Sequence, residues 1–297
     1  MTLYSVRSDR PLCEQVQYNL LFRWFLDRTM TERVWDRTVF SHSRDRLIEH
    51  EVARALFGAV VEEAKRQHLM SSEHFSVDGT RIEAYASMKS FRPKDEEDSS
   101  DDDPGGGSKS NRWVNFRGPK RSNKTHESKT DPDARLMRKG YGKEAKLSYA
   151  GHLLMENRNG LVVDVHVNHA TGYAERDAAL EMLCALPGQR RKTVAADRGY
   201  DTRDFVEPCR ARGVTPHVAQ HTSRRSGIDA RTTRHEGYKL SQRIRKRIEE
   251  AFRWAKTVGG LRRTRFRGLR RTSFLATMTF TALNPLRIAK LSSAAGT

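Results

Sequence analysis

From about residue 71 the apolar residues stop recurring at helical spacing and begin to alternate, which limits the fold more than any other feature of the chain. His74 to Ala86 sends Phe75 and Val77 to one side and Ile82, Ala84 and Ala86 to the other, which predicts a strand. Leu147–Glu156 and Leu161–Val167 read as two further strands, joined through Asn157–Gly160 as a β-hairpin. A helix is expected over Ala174–Leu186, a short buried strand over Thr193–Ala196, and a helix from Thr202 that stops at Gly213. A strand over Val214–Ala219 follows, and a helix over Ser241–Gly260. Strands alternating with helices around a mixed sheet give an α/β domain in three layers.

Residues 1 to about 70 lack that alternation and read as all-helical. Leu12, Val16 and Leu20 with Phe22, Trp24 and Phe25 predict one helix, a second begins near Thr31, and a third runs from about Ser43 to Leu69. The expected organisation is a helical region over 1–70 and a catalytic domain over 71–291, with an insertion at about 90–135. That insertion holds an acidic run at 95–103, glycines at 105–107 and a basic stretch at 109–129. With so few apolar residues, it reads as a disordered, solvated loop.

Two aspartates fall on or at the end of expected strands. Asp78 interrupts an apolar strand, and a buried strand rarely carries an aspartate without a reason. Asp78-Gly79 is also a strong hairpin signal, so a turn is the competing reading. Asp197 closes the short buried strand before a sharp turn, Arg198-Gly199-Tyr200-Asp201.

The helix over 241–260 carries an apolar stripe of Ile244, Ile248, Phe252 and Ala255. Beside it runs a second stripe of Arg245, Glu249, Phe252 and Lys256. A lone acid there has two readings: an ion pair within the helix, or a ligand for a divalent metal where phosphates are held. Glu250 has Lys246 four residues before it and Arg247 three before, an ordinary exposed ion-pair setting, which leaves Glu249 as the candidate ligand. Asp78, Asp197 and Glu249 together would supply hard oxygen ligands for two-metal phosphodiester chemistry.

The charge balance fits such a partner. Net charge is +18, and between Arg224 and Arg271 there are 17 Lys/Arg against 4 Asp/Glu. This predicts a polyanion-binding face, with Arg262, Arg263, Arg265 and Arg267 in it. Cys13, Cys184 and Cys209 are far apart and form no CxxC pair, so neither a zinc site nor a disulfide framework is expected, and reduced thiols suit the cytosol. The histidines are scattered and read as surface or core residues. Trp254 reads as core, with stacking on an unpaired base as the alternative. The apolar stretch Phe274–Leu291 is broken by Asn284, Pro285 and Arg287 and reads as a packing helix, not a membrane span.

Four segments carry a resemblance. They are HFSVDGTRIEAYASMKSFRPKD with Asp78, KTDPDARLMRKGYGKEAKLSYAGHLLMENRNGLVVDV, AADRGYD with Asp197, and RTTRHEGYKLSQRIRKRIEEAFRWAKTVGGLRRTRFRG with Glu249. The chain resembles a DDE transposase of the IS5 group within the IS4 superfamily, over nearly its whole length. The last family motif is Tyr, two residues, Arg, three, Glu, six, Lys. Arg245, Glu249 and Lys256 match it, while Gln242 stands where the family has Tyr. The resemblance implies an RNase H-like fold, Asp78, Asp197 and Glu249 as catalytic metal ligands, and Mg2+ with Mn2+ as a substitute. It implies double-stranded DNA as partner (terminal inverted repeats and target), a homodimer in the DNA complex, and a bacterial cytoplasmic, nucleoid-associated enzyme. Relatives carry further helical sequence before the point matching Met1, so a shortened N-terminus is expected. A DNA-binding remnant and a metal-dependent host nuclease remain as alternatives.

Overall fold

The computed structural model describes residues 1–94, 121–138, 140, 142–188, 190–223 and 225–295. Four helices lead: α1 (Asp9–Tyr18), α2 (Leu20–Phe25), α3 (Arg37–Glu49) and α4 (Val52–Arg66). Asn19 divides the first expected helix by capping α2 through Leu21 N–H at 3.0 Å. The second helix starts at Arg37 rather than near Thr31, because Asp36 accepts from Thr38 N–H at 2.8 Å. The unbroken helix expected over 43–69 is two helices. The chain turns at His50–Glu51, where Glu51 is left-handed with φ 50°. The turn frees α4 to bury Phe57 and Val61 against the domain behind it.

The strands follow in the order β1 (His74–Glu83), β2 (Phe91–Pro93), β3 (His126–Ser128), β4 (Arg135–Arg138), β5 (Ala145–Glu156) and β6 (Val162–His169). Next come α5 (Ala174–Cys184), β7 (Lys192–Ala196), α6 (Arg203–Ala211) and β8 (Val214–Val218). The chain closes with α7 (Ala230–Thr233), α8 (Glu236–Ile244), α9 (Arg247–Thr257) and α10 (Leu269–Ala295). Strands β6, β5, β1, β7 and β8 lie side by side in that order, and β4 extends the outer edge of β5. β5 is antiparallel to its neighbours, while β1, β7 and β8 are mutually parallel.

Asp78-Gly79 lies inside the sheet, not in a turn. Asp78 pairs with Leu153 and Gly79 with His152 in an unbroken register. The sheet separates two cores. One face carries Ile82, Leu147, Leu153, Met155 and Val165 against α4, α9 and α10. The other carries Phe75, Val77, Leu154, Val194 and Val218 against α5 and α6. Such a sandwich covers both faces of the central strands.

Two buried carboxylates organise its connections. Glu156 is wholly buried and accepts the N–H groups of Ser71, Arg158, Asn159 and Leu161 at 2.8–3.1 Å, which holds the β5–β6 turn. Asp131 takes the Tyr149 hydroxyl at 2.6 Å and Gly268 N–H at 3.2 Å. This corrects the reading of 90–135 as one disordered loop. Residues 91–93 pair with 126–128, and Phe91, Ser128, Asp131 and Ala134 are buried. Hydrogen bonding anchors these ends where hydrophobicity is too sparse to show it. The acidic run at 95–103, the glycines and the basic residues up to 120 lie outside the described residues, as does Arg224.

The helix expected over 241–260 is also two, tightened at Arg245–Lys246. There Ile248 and Glu249 donate three residues back, to the carbonyls of Arg245 and Lys246. α10 runs through Pro285, and Asn284 grips both backbone groups of Val162 at 2.8 and 2.9 Å, joining α10 to β6. Among the described residues no helix is long and apolar enough to cross a membrane.

Candidate active site

β1 and β7 pair in parallel with Ser76 opposite Ala195. Asp78 and Asp197 each lie two residues beyond that pair, on β1 and just past the end of β7, near enough for the charge of Asp197 to raise the Asp78 carboxyl. Each aspartate is held by a local backbone bond. Asp78 Oδ1 accepts Gly79 N–H at 2.8 Å, and Asp197 Oδ1 accepts Gly199 N–H at 2.7 Å. The Arg198–Tyr200 turn is pinned beneath them: Tyr200 is buried edge-on against Phe205. Asp201 gathers the following loop by accepting from His221 N–H, Gly227 N–H and the Ser226 hydroxyl. The segment from Asp197 to Asp201 thus builds one wall of the site.

A third carboxylate meets the pair, and it is one that sequence reasoning missed. Glu175, in the first turn of α5, lies over Gly79 so closely that a Cβ built there would fall 2.4 Å from Oε1. Its neighbour Arg176 donates to the Gly199 carbonyl at 3.5 Å, tying the start of α5 to the Asp197 turn. In sequence Glu175 looks like any acid favoured at a helix N-terminus, and only the glycine opposite it carried a signal.

The carboxylates perturb one another. Burial raises the Asp78 carboxyl to about 7, held back by the Gly79 bond, pushed further by Asp197 and Glu175, and opposed by Arg245. Glu175 is raised as well, by burial and then by Asp197, against Arg176.

α8 and α9 cross this end of the sheet. The Gln242 amide donates to the carbonyls of Ala196 and His217, a bond to the strand end that explains how Gln serves at this position. Arg245 Nε donates to Gln242 Oε1 at 3.0 Å. Two turns beyond Glu249, Lys256 Nζ donates to Thr80 Oγ1, two residues from Asp78 on β1. Glu249 itself is exposed, between Arg245 and Lys256 on their stripe. Glu250 points instead toward α10, 3.8 Å from Arg287. Trp254 is half-buried and packs on the core. The structure therefore joins Asp78 to Asp197. It lays the stripe of Glu249 alongside, and among the described residues no three His, Cys, Asp or Glu side chains are gathered closely enough to hold a metal ion.

Of the predicted DNA-contacting arginines, Arg262, Arg263 and Arg267 are exposed, and Arg263 and Arg267 both lie over Tyr85. Arg265 is turned inward, a correction to its expected role. It binds the Arg7 carbonyl and stacks on Phe266, because the N-terminal segment folds over it.

A mixed sheet ordered β6-β5-β1-β7-β8 with β5 reversed, carrying acids on adjacent central strands, defines an RNase H-like protein. Residues 71–284 match the family described as Transposase DDE domain, and residues 1–46 match one described as Transposase domain (DUF772). The chain belongs to the transposase DDE domain family. No curated protein matches it. Among solved structures it is similar to the piggyBac transposase synaptic complex with hairpin DNA. Identity there is 7% over 95% of this chain and 64% of that one, with a TM-score of 0.44. It is also similar to the Mos1 strand transfer complex, at 8% identity over 95% of this chain and 77% of that one, TM-score 0.24. The chain thus spans 64% of the piggyBac chain's length.

Transposase DDE domains generally use divalent metal ions. The donor chemistry here suits one: the acids offer hard carboxylate oxygens, and burial, with the charges of Asp197 and Glu175 behind it, raises the Asp78 carboxyl to about 7.

Proposed function

We propose that this chain is a transposase of the IS5 group that cleaves double-stranded DNA at terminal inverted repeats and joins the freed end to target DNA. The single observation that carries this is the closeness of Asp78 on β1 and Asp197 just past β7, two strands that pair in parallel, in a domain of this family. Asp78, Asp197 and Glu249 would hold the ions, Mg2+ by preference with Mn2+ as substitute. Bound there, the cations supply Lewis acidity at the phosphoryl oxygens and an activated nucleophile.

The rest belongs to the chain's own residues. Gln242 ties α8 to the strand end beside Asp197, and Lys256 ties α9 to β1 beside Asp78. Glu249 lies between those two anchors, which favours it over Glu250, already paired toward Arg287. Arg245 offsets the charge of Asp78. Arg262, Arg263 and Arg267, with Lys256 and Arg245 nearer the acids, form the surface for the DNA backbone. The helical region over 1–70 takes end recognition or dimerisation, 71–291 the chemistry, and a homodimer holds the paired ends.

The test is cleavage and strand transfer of a labelled duplex carrying the element's ends, with Mg2+. Glu249→Gln should abolish both and leave DNA binding intact, while Glu250→Gln keeps most activity. Reversed phenotypes would refute the assignment of α9. Hydrolysis without any strand transfer would instead identify a nuclease.

A further inference from the structure

The acid over Gly79 has no part in the three-carboxylate reading above. Its placement is costly and specific. A glutamate in the first turn of a helix ordinarily faces solvent, where it interacts with the helix dipole. Glu175 instead reaches from α5 onto the backbone of β1, into space left open by a glycine in mid-strand. A Cβ at residue 79 would lie 2.4 Å from Oε1 and 2.8 Å from both Cδ and Cγ. Glycine inside a strand weakens it and often marks the close approach of another group. Gly79 pairs normally with His152 and has no positive φ, so no turn or bulge demands it. The close approach of Glu175 accounts for it.

Two further contacts fix that position. Arg176 binds the Gly199 carbonyl, and Gly199 donates to Asp197. The first turn of α5 is thereby hooked to the same turn that orients Asp197. The acids near this end of the sheet thus come from three elements: Asp78 from β1, Asp197 from the end of β7 and Glu175 from the start of α5. Gathering like charges is unfavourable; Arg245 opposes it at Asp78 and Arg176 at Glu175.

We propose that Glu175 is a further carboxylate of the metal site, seated by Gly79, which holds the cation environment together with Asp78 and Asp197. This rests on the reading of Asp78 and Asp197 as metal ligands. Glu175 either contacts the ion directly or accepts from a water bound to it. In both cases it sets metal affinity, and Gly79 sets the position of Glu175.

The experiment measures Mn2+ binding by calorimetry on the full chain, with thermal melts in parallel, for Glu175→Gln, Gly79→Ala and Asp197→Asn. Glu175→Gln keeps shape and removes charge. Gly79→Ala keeps every charge and displaces the carboxylate. Both should weaken Mn2+ binding about tenfold, the scale for groups supporting a metal site, and both should shrink the Mn2+-dependent rise in melting temperature. If both bind Mn2+ within twofold of the native chain, or lower the melting temperature equally with and without Mn2+, Glu175 is a structural acid and the proposal falls. Asp197→Asn separates that failure from a deeper one. Should it too leave Mn2+ binding unchanged, the metal-site reading itself is wrong.

Discussion

Replacing Asp78 by asparagine should stabilise the metal-free protein by an amount that grows as pH rises from about 4 to 7. The folded protein holds the Asp78 proton up to about 7, against 3.8 for an ordinary aspartate. A carboxyl raised in the folded state favours folding while protonated, and that contribution is lost as pH rises from about 4 to 7. Between pH 5 and 7 the native chain should lose up to ~2.7 kcal/mol relative to Asp78→Asn, from two pH units at ~1.36 kcal/mol each. Asp78 is half-buried, and its remaining solvent contact reduces this to about 1–2 kcal/mol. For a chain this long that is a shift of roughly 3–6 °C in melting temperature. Asparagine keeps the bond from Gly79, since its carbonyl oxygen accepts as the carboxylate does. The assay is thermal unfolding of both proteins at pH 5, 6 and 7.5 with chelator, repeated with Mg2+. The native chain should catch up with the variant once Mg2+ is added, because the cation supplies the missing charge. A difference that does not change with pH, or a variant less stable at pH 7.5, would refute the crowding of the three carboxylates.

Glu156→Gln replaces an oxygen accepting two N–H groups with a donor and should cost about 2–4 kcal/mol, read by urea unfolding. A loss below about 1 kcal/mol would show that the β5–β6 turn holds itself. Neutralising Arg262, Arg263 and Arg267 together should lower the salt dependence of duplex binding by about 2.7 in log-log slope. Neutralising Arg265 should leave that slope unchanged and lower the melting temperature, since it holds the Arg7 carbonyl. An unchanged slope for the triple variant would move the DNA surface elsewhere.

Much of the sheet was legible because alternation reports burial directly. The two faces of His74–Ala86 correspond to the two cores, with Phe75 and Val77 in one and Ile82 and Ala84 in the other. Helix breaks were less legible. The apolar period runs through Glu51 and Arg245 without a fault, and the interruption at each is a matter of backbone conformation that neither residue type announces. The ends of the 90–135 stretch were misread for a related reason. Asp131 and Ser128 look like loop residues, and their burial depends on Tyr149 and Gly268, far away in the chain.

Local sequence determined the strand and helix periods, the positive segment, and the choice of Asp78, Asp197 and Glu249 by family spacing. These are properties of neighbours along the chain. Tertiary structure decided that Asp78-Gly79 is strand and not turn, because β5 and β7 flank it on both sides. It decided that Arg265 faces inward, because the N-terminal segment lies over it. It also brought Glu175 to the aspartates, because the only clue was a glycine 96 positions earlier whose missing side chain makes room for it. Such a vacancy has no chemistry of its own until the fold sets another residue against it.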